Sequence, residues 1–307
     1  MSLREKYGKV AVIMGGDSSE REVSLISGAQ ALEALLSLGV DAHKFDPVEE
    51  PMEKLVVEGF SRALLMLHGG TGENGVVQAV LEYLKIPYTG SGVEASAISM
   101  DKYRTKLLWQ HFGIPVAKSQ LVLKNDYIKN KFKLEIKLPF VVKPAFGGST
   151  IGLSKVFDLD KINAAINLAF EYDKAILIEE FIDGAEYTAT VCGDKVYPFV
   201  KIEAPQGEYD YTNKYFTDDT KYLCPYDLGA IQAEIEKYAL LGYNAVGASG
   251  VTRIDFMLDK DNKPYFLEIN TLPGMTPHSL VPMAFKACGI DFKELCLQIL
   301  DGASIGH

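Results

Sequence analysis

The sequence predicts an α/β protein of two or three domains that begins with an open, mostly parallel sheet. The first observation is length, because 307 residues exceed one typical compact domain. The second is an alternation, over the first hundred residues, of short apolar runs with loops and amphipathic stretches. Strands that alternate with helices in this way are typical of parallel sheets, whose ligands bind at the carboxyl ends of the strands.

Two short apolar runs are the strand candidates of the first part, residues 10–14 and 63–67. Each run ends at a loop that contains glycines, and the second loop begins at His68. Since the carboxyl ends of parallel strands share one edge of a sheet, both loops should open on the same side. Taken singly, His68 could be an ordinary loop histidine and its loop a flexible turn.

A helix is expected to begin near Glu20, after the first loop. Ser19 and Glu22 have the spacing of a capping box, in which the serine side chain accepts a bond from the first helical turn. Glu20 could serve only to balance the positive end of the helix dipole, which is the commoner role of an acidic residue there. A functional role for Glu20 depends on its loop lying beside the loop of His68.

The chain is expected to form three parts, residues 1–100, 101–182 and 183–307, with the first boundary after a turn-rich segment. The elements expected in the last two parts are a helix through Trp109, strands at 138–144 and 175–179, a helix at 230–241, and a hairpin. A polar, tyrosine-rich stretch at 207–222 is long enough to act as a lid rather than a passive connection.

The hairpin carries the sharpest pattern in the chain. Its strands are residues 252–258 and 265–270. If the turn lies midway between them, two residues whose numbers sum to about 523 lie opposite each other. Side chains alternate along a strand, so the polar residues of the two strands share one face. The cross-strand pairs on this face are Asp255 with Glu268 and Arg253 with Asn270. The other face takes Ile254, Phe256, Leu267 and Ile269.

The polar face of the hairpin indicates a metal site. Two carboxylates directly opposite each other repel unless a cation lies between them. With the amide oxygen of Asn270 they form a hard-oxygen set suited to Mg²⁺ or Mn²⁺ held against phosphate. The acidic turn could suggest a Ca²⁺ loop, but Pro264 stands where that loop needs glycine, which excludes it. The remaining alternative is an ordinary solvated face.

Lys143 and the glycine-rich loop 145–152 form the second constellation. A lysine that ends the apolar run 140–142 is not expected to be freely solvated, and the loop after it can bring backbone N–H groups close to a phosphate. This loop contains neither a Walker A motif nor G-x-G-x-x-G. The alternative is an edge-strand lysine followed by a tight turn.

Composition excludes several functions. With 31 basic and 41 acidic residues the net charge is −10, which gives no general attraction to nucleic acid or to an anionic membrane. No apolar stretch has the length of a membrane span, and the start of the chain does not resemble a signal peptide. The four cysteines show no metal or redox spacing and are expected to be reduced, mostly buried thiols of a cytoplasmic protein.

Segments along nearly the whole chain resemble the D-alanine–D-alanine ligase family. The matching stretches are GGDSSEREVSLISG, LHGGTGENG, YTGSGVEASAISMDKYRTK, VVKPAFGGSTIG, LIEEFIDGAEYT, YDYTNKY, TRIDFMLD and FLEINTLPGMTPHSLVP. The resemblance implies an ATP-grasp fold of three α/β parts, with ATP between the central and C-terminal parts. It also implies a homodimeric enzyme that joins two D-alanine molecules through an acyl phosphate, releasing ADP and phosphate, for peptidoglycan precursor synthesis.

The resemblance assigns nucleotide and metal contacts residue by residue. Lys102 and Lys143 match the lysines that bind the nucleotide phosphates, and Lys214 matches a lysine of the lid. Glu186 matches the ribose-binding carboxylate. The hinge segment beside adenine is matched by Glu179, Glu180, Phe181 and Ile182. Asp255, Glu268 and Asn270 match the ligands of two Mg²⁺ (or Mn²⁺) ions, in agreement with the register of the hairpin.

Catalytic and substrate-binding residues are also implied. Glu20, Ser149 and Tyr215 match the group that holds the first D-alanine. Arg253 and Gly274 match the group that stabilises the oxyanion. Ser279 and Leu280 match the pocket for the second D-alanine. His68 lies near the first D-alanine, and Tyr215 belongs to the expected lid. Tyrosine at that position favours an amine over a hydroxyl as nucleophile.

The chain departs from many family members at three positions. Many members carry glutamate in place of Gly147, a charged or polar residue in place of Phe146, and aspartate in place of Asn74. We therefore expect altered lid closure or affinity, with the chemistry kept. Two rival functions stay open on the sequence: a ligase that joins D-alanine to D-serine or D-lactate, and a nucleotide-binding regulatory protein without catalysis.

Overall fold

The computed structural model of the chain describes residues 1–129, 131–147, 151–204, 220–276 and 279–306. The described elements form three sheets of different topology, one parallel and two antiparallel. Within the described ranges, no helix is both long enough and apolar enough to cross a membrane. The division into three parts at residues 100 and 182 stays a prediction.

The N-terminal sheet is parallel, in the strand order β2-β1-β3. Its elements and the helices that follow are α1 (Leu3–Tyr7), β1 (Lys9–Ile13), α2 (Arg21–Ser37), β2 (Asp41–Phe45), α3 (Lys54–Val57), β3 (Arg62–Leu65), α4 (Gly70–Glu73), α5 (Val76–Leu84) and α6 (Val93–Met100). β1 reads as an unbroken apolar run because it lies between two neighbours and is covered on both faces. The predicted parallel sheet is confirmed.

The central sheet is antiparallel, in the order β4-β7-β5-β6. Its elements are α7 (Lys102–His111), β4 (Ser119–Leu123), α8 (Lys124–Ile128), β5 (Phe140–Pro144), β6 (Ser154–Val156), α9 (Ile162–Tyr172) and β7 (Ala175–Glu180). Phe140 and Val142 of β5 point to a core that α9 covers with Ile166 and Phe170. Lys143 therefore points away from that core, since alternate residues face opposite sides.

The C-terminal sheet is also antiparallel, in the order β11-β10-β8-β12-β13, with β9 paired to β8. Its elements and helices are β8 (Gly184–Cys192), β9 (Lys195–Val196), β10 (Phe199–Glu203), β11 (Lys221–Tyr226), α10 (Gln232–Ala245), β12 (Val251–Asp259), β13 (Pro264–Asn270), α11 (Leu280–Ala287) and α12 (Phe292–Asp301). The end of the stretch expected to be a lid, residues 221–222, is thus strand. The predicted hairpin is confirmed as β12 and β13.

A bulge in the hairpin corrects one prediction. The register runs from Asp255 opposite Glu268 to Phe256 opposite Phe266, so Leu267 is the extra residue on its strand. Phe266 rather than Leu267 then joins Phe256 in the core, where the two rings stack with centroids 5.4 Å apart. The assignment of Leu267 to the apolar face was wrong, because strict alternation cannot show an inserted residue.

The predicted capping box at the start of α2 was also wrong. Glu20, not Ser19, is the residue that caps α2, and its side chain makes no capping bond. Ser18 takes part instead, since its Oγ accepts a bond from Glu20 N at 3.1 Å. The loop before α2 is shaped by contacts with the neighbouring loop, which local spacing does not reveal.

The expectation of mostly buried cysteines fails as well. All four are free thiols, but Cys288 is exposed, and Cys192 and Cys224 are half-buried. Only Cys296 is fully buried, in the core between α12 and the N-terminal sheet.

The C-terminal end of the chain returns to the N-terminal sheet. Phe285 of α11 and Leu295 of α12 pack in one core with Val10 of β1 and Leu64 of β3. Beyond α12, Ser304 exchanges two backbone hydrogen bonds of 3.0 Å with Tyr88. The C-terminal helices are therefore held against the N-terminal sheet by packing and by this backbone pairing.

Trp109 anchors α7 to the C-terminal sheet. Its side chain is fully buried, its Nε1 donates to the Gly242 carbonyl at 3.1 Å, and its ring packs edge-on against Phe266. Because α7 carries two lysines of the cleft, this contact sets their position as well as the stability of the core.

We expect Trp109→Ala to lower the free energy of unfolding by about 3–5 kcal/mol, since it leaves a large cavity and an unpaired carbonyl. Urea unfolding followed by circular dichroism measures this, because Trp109 is the single tryptophan and its fluorescence is lost. Gln110→Ala, at an exposed position of the same helix, is the control. Equal losses in the two variants would contradict the anchoring role.

Candidate active site

The hairpin places its four polar residues on one face, as the spacing predicts. Asp255 lies opposite Glu268, and Arg253 opposite Asn270. The Arg253 guanidinium donates to both oxygens of Asp255 through Nε and Nη2, each at 2.9 Å. Asn270 Nδ2 donates to Asp255 Oδ2 at 3.2 Å. The predicted shared face is confirmed, and a cation lies beside one of its carboxylates.

The second carboxylate of this face, Glu268, is paired with Lys102, whose Nζ lies 3.2 Å from Glu268 Oε2. Lys102 begins α7, and Asp101 caps that helix by accepting a bond from Arg104 N at 3.0 Å. Lys102 Nζ also donates to the Gly147 carbonyl. The start of α7 therefore joins the hairpin to the glycine-rich loop of the central sheet.

Glu179, near the end of β7, is the centre of a buried ion cluster. Its Oε1 lies 2.8 Å from Lys106 Nζ, and its Oε2 lies 2.8 Å from Lys143 Nζ. Burial opposes the charge of Glu179, but the two ammonium groups outweigh it and lower its pKa below the usual range. Burial likewise opposes the charge of Lys143, but nearby carboxylates, Glu179 first, raise its pKa. The prediction that Lys143 is not freely solvated is confirmed.

The segment after Glu179, which was expected to lie beside adenine, is held by backbone bonds. Glu180 N donates to the Lys118 carbonyl at 2.9 Å, and Phe181 N donates to the Pro139 carbonyl at 3.1 Å. Ile182 is buried, whereas the Glu180 side chain is exposed. Because the backbone N–H groups of Glu180 and Phe181 are already hydrogen-bonded within the protein, a nucleotide base beside this segment would bond to its other polar groups.

Glu186 reaches the same cleft from β8. It pairs in register with Met257 of β12, two residues beyond Asp255. Side chains two residues apart along a strand share a face, so Glu186 lies on the face of Asp255. The structure thus brings the predicted ribose carboxylate, metal ligands and lysines to one region.

His68 links the N-terminal part to the segment after β13. Its Nδ1 lies 3.0 Å from the Leu272 carbonyl oxygen, which only accepts, so Nδ1 carries the proton. Nε2 lies 3.1 Å from Ser27 Oγ and accepts from it in the neutral ring. Burial lowers the pKa of His68, although nearby Glu20 opposes this effect. His68 is therefore an uncharged ring at neutral pH.

The two N-terminal loops open on the same side, as predicted. The Ser18 hydroxyl donates to the His68 carbonyl, and Thr71 Oγ1 donates to Asp17 Oδ1 at 2.8 Å. Glu20 is buried at this junction, and a Cβ added to Gly69 would lie 2.5 Å from Glu20 Oε2. Gly69 has a φ of 64°, so both its conformation and this close approach require glycine.

Glu73 lines the same cleft, although the sequence analysis did not single it out. It borders a cavity together with Lys102, Gly147 and Glu268. Its Oε2 accepts a bond from Gly69 N at 2.8 Å. Burial, with repulsion from Glu20, raises the pKa of Glu73 to about 8. The glycine-rich sequence around Glu73 predicts a turn, but it does not show which side chain of the turn points into the cleft.

The predicted substrate residues after β13 lie close together. Ser279 Oγ accepts a bond from Thr276 N at 2.9 Å, and a Cβ added to Gly274 would lie 2.8 Å from it. Gly274 therefore lets the backbone approach Ser279. Leu280 is buried and packs against Val200 and Ile202, so its side chain belongs to a core as well as to the predicted pocket.

Three predicted site residues, Ser149, Lys214 and Tyr215, lie outside the described residues, as do residues 207–219 of the expected lid. Their roles stay predictions.

The donor set on the hairpin fits a divalent cation. Asp255 and Glu268 supply carboxylate oxygens, and Asn270 turns Nδ2 toward Asp255, so Oδ1 is the amide atom able to bind a metal. Ammonium and guanidinium groups lie against these carboxylates, which shows that the face favours positive charge. In the described ranges, no group of three or more His, Cys, Asp or Glu side chains could hold a metal ion. The candidate set is mixed, with two carboxylates and one amide.

Glu73 should make stability depend on pH. Its folded pKa of about 8 lies above its ordinary value of 4.5, so between these values the folded protein keeps a proton that the unfolded chain has lost. This contribution therefore falls as pH rises from 4.5 to 8, by at most about 1.4 kcal/mol per pH unit. We expect Glu73→Gln to flatten the pH dependence of the free energy of unfolding in that window.

Urea unfolding at several pH values between 5 and 8 measures this difference. Glu33→Gln, at an exposed position of α2, is the control and should keep the slope of the unaltered protein. Parallel curves for Glu73→Gln and the unaltered protein would show that Glu73 is ionised throughout the range.

Comparison with known proteins agrees with this geometry. Residues 108–301 match the family model described as D-ala D-ala ligase C-terminus. A D-alanine–D-alanine ligase from Aromatoleum aromaticum is 50% identical over 302 residues, which cover 98% of this chain and 97% of that protein.

Solved structures show the same similarity. A D-alanine–D-alanine ligase from Bacillus anthracis superposes with a TM-score of 0.82 and 34% identity over 96% of each chain. A structure of that ligase complexed with ATP superposes with a TM-score of 0.82 and 32% identity, again over 96% of each chain. The fold is therefore that of the ATP-grasp ligases, and this chain belongs to the D-alanine–D-alanine ligase family.

Proposed function

We propose that this chain uses ATP to join two D-alanine molecules into D-alanyl-D-alanine, releasing ADP and phosphate. The observation that carries the proposal is the shared face of Arg253, Asp255, Glu268 and Asn270, which faces lysines from α7 and β5. This arrangement can neutralise a nucleotide phosphate and stabilise an oxyanion. It occurs in a chain that is similar over nearly its full length to named D-alanine–D-alanine ligases.

ATP would lie in the cleft between the central and C-terminal sheets. Lys102 and Lys143 would hold its phosphates, the segment 179–182 its base and Glu186 its ribose. Support for ATP as the nucleotide comes from the similar ligase that was crystallised with ATP. The lysines enter the cleft from different elements, so a bound nucleotide would join α7, β5 and the hairpin.

Asp255, Glu268 and Asn270 would hold two Mg²⁺ or Mn²⁺ ions. Divalent ions supply charge neutralisation at the phosphates of a nucleotide. The chain's own contribution is a face on which β12 and β13 keep the three donors together by backbone pairing.

The first step would make the carboxylate of one D-alanine reactive. A carboxylate is a poor electrophile, because its carbon carries oxygen atoms that do not leave. Its oxygen would attack the γ-phosphorus of ATP, the bond to ADP would break, and an acyl phosphate would form. Lys143 and Lys214 would neutralise the transferring group, while Glu20, Ser149 and Tyr215 would hold the ammonium of this D-alanine.

The second step would form the peptide bond. The uncharged amine of the second D-alanine would attack the acyl carbon, and phosphate would leave with the bonding electrons of the C–O bond. The developing oxyanion would be stabilised by Arg253 and the Gly274 N–H. Ser279 and Leu280 would bind the second D-alanine. Residues 207–222 would exclude water from the acyl phosphate.

The cellular role follows from the product. D-alanyl-D-alanine is a building block for peptidoglycan, so we place the enzyme in the cytoplasm, where ATP is supplied. We propose a homodimer on the resemblance to the family alone. The net charge of −10 favours small-molecule substrates over nucleic acid.

Phosphate release from ATP and Mg²⁺ tests the proposal, with D-alanine, L-alanine, D-serine or D-lactate as substrates and chromatographic identification of products. Of the four substrates, we expect only D-alanine to cause phosphate release, with D-alanyl-D-alanine as the product. Release only with a mixed pair would instead assign a mixed-dipeptide or depsipeptide ligase. ATP binding without phosphate release on any substrate would favour a regulatory protein.

We expect Glu268→Gln to lower turnover by about a hundredfold, since it removes one charge of the metal and phosphate site. The fold should survive, because glutamine has nearly the same shape and can still bond its neighbours. Turnover is measured by phosphate release with D-alanine in excess. Glu33→Gln removes an exposed carboxylate and should leave turnover unchanged; unchanged turnover in Glu268→Gln as well would refute the role of Glu268.

A further inference from the structure

We propose that Lys106 is a positioning residue for the nucleotide site: by binding one oxygen of Glu179, it leaves the charge of Lys143 available to a phosphate. This inference rests on the proposed function, in which Lys143 contacts ATP. Neither the resemblance to the family nor the sequence pattern assigned a role to Lys106.

Lys106 is the most buried charged group at the junction of two sheets. Its side chain is 1% exposed, and its Nζ lies 2.8 Å from Glu179 Oε1. The same Nζ donates to the carbonyl of Phe266 at 3.2 Å. Lys106 therefore ties α7 to β7 of the central sheet and to β13 of the C-terminal sheet, the two sheets between which ATP would lie.

Glu179 needs more than one cationic partner. Its side chain is 4% exposed, and a buried carboxylate left without partners is strongly unfavourable. If Lys143 were its single partner, the two charges would cancel and the ammonium would be held at the carboxylate. With Lys106 on the other oxygen, the cluster of two lysines and one glutamate carries one net positive charge.

Side-chain exposure separates the two lysines in the same way. Burial lowers the pKa of Lys106, and Glu179 opposes that effect from 2.8 Å. The Lys143 side chain is 14% exposed, in contrast to the 1% of Lys106. The more accessible lysine is therefore the one placed to meet a ligand, and the inaccessible one holds the carboxylate.

A double-mutant cycle with Lys106→Met and Lys143→Met tests the proposal, with the dissociation constant of ADP in Mg²⁺ buffer as the readout by calorimetry. We expect Lys106→Met to weaken ADP binding about tenfold, the loss of one charge-assisted contact. In the Lys143→Met background the same change should cost less than about twofold, because Lys106 acts through Lys143. Lys129→Met, an exposed lysine of the central part, is the control.

A second comparison covers the case in which Lys106→Met, alone or combined with Lys143→Met, does not fold because Glu179 has lost its cationic partners. Adding Glu179→Gln removes the buried charge, so Lys106→Met with Glu179→Gln should fold and bind ADP within about twofold of Glu179→Gln alone. A tenfold loss in that comparison, or an equal loss with and without Lys143, would overturn the positioning role. Absence of ADP binding by the unaltered chain would instead refute the proposed function.

Discussion

The backbone register between β12 and β13 is the constraint on which the cleft depends. It sets Arg253, Asp255, Glu268 and Asn270 on one face, and a slip of one residue would turn them toward the core. Burial of Ile254, Phe256 and Phe266 on the other face opposes such a slip, because apolar side chains would then meet water. Core packing therefore fixes the geometry of the charged groups that the proposed chemistry uses.

Charge compensation organises the rest of the cleft around α7. One helix supplies Lys102 to Glu268, Lys106 to Glu179 and Trp109 to the core of the C-terminal sheet. The carboxylates can be buried because cations reach them from this helix. A nucleotide and divalent ions would enter a site whose charged side chains already contact one another, so their binding would replace protein contacts as well as add new ones.

The elements that carry strong local signals were predictable. The apolar run of β1, the hairpin and the environment of Lys143 follow from periodicity and from the cost of burying polar groups. The bulge at Leu267 and the start of α2 were mispredicted, since an inserted residue and a loop shaped by its neighbour leave no periodic trace. The exposed thiol of Cys288 was missed for a similar reason, because cysteine spacing does not report burial.

By itself, the sequence determined the family, the parallel N-terminal sheet and the polar face of the hairpin. Each of these depends on short sequence motifs or on residues that are close together in the chain. Tertiary structure alone decided the partners of Lys106, which lie 73 and 160 residues away at Glu179 and Phe266. It also decided the half-buried position of Glu73 beside Lys102, Gly147 and Glu268. Burial and charge pairing between residues so far apart in sequence arise only when the chain packs. The spacing of neighbouring residues in the sequence therefore does not predict them.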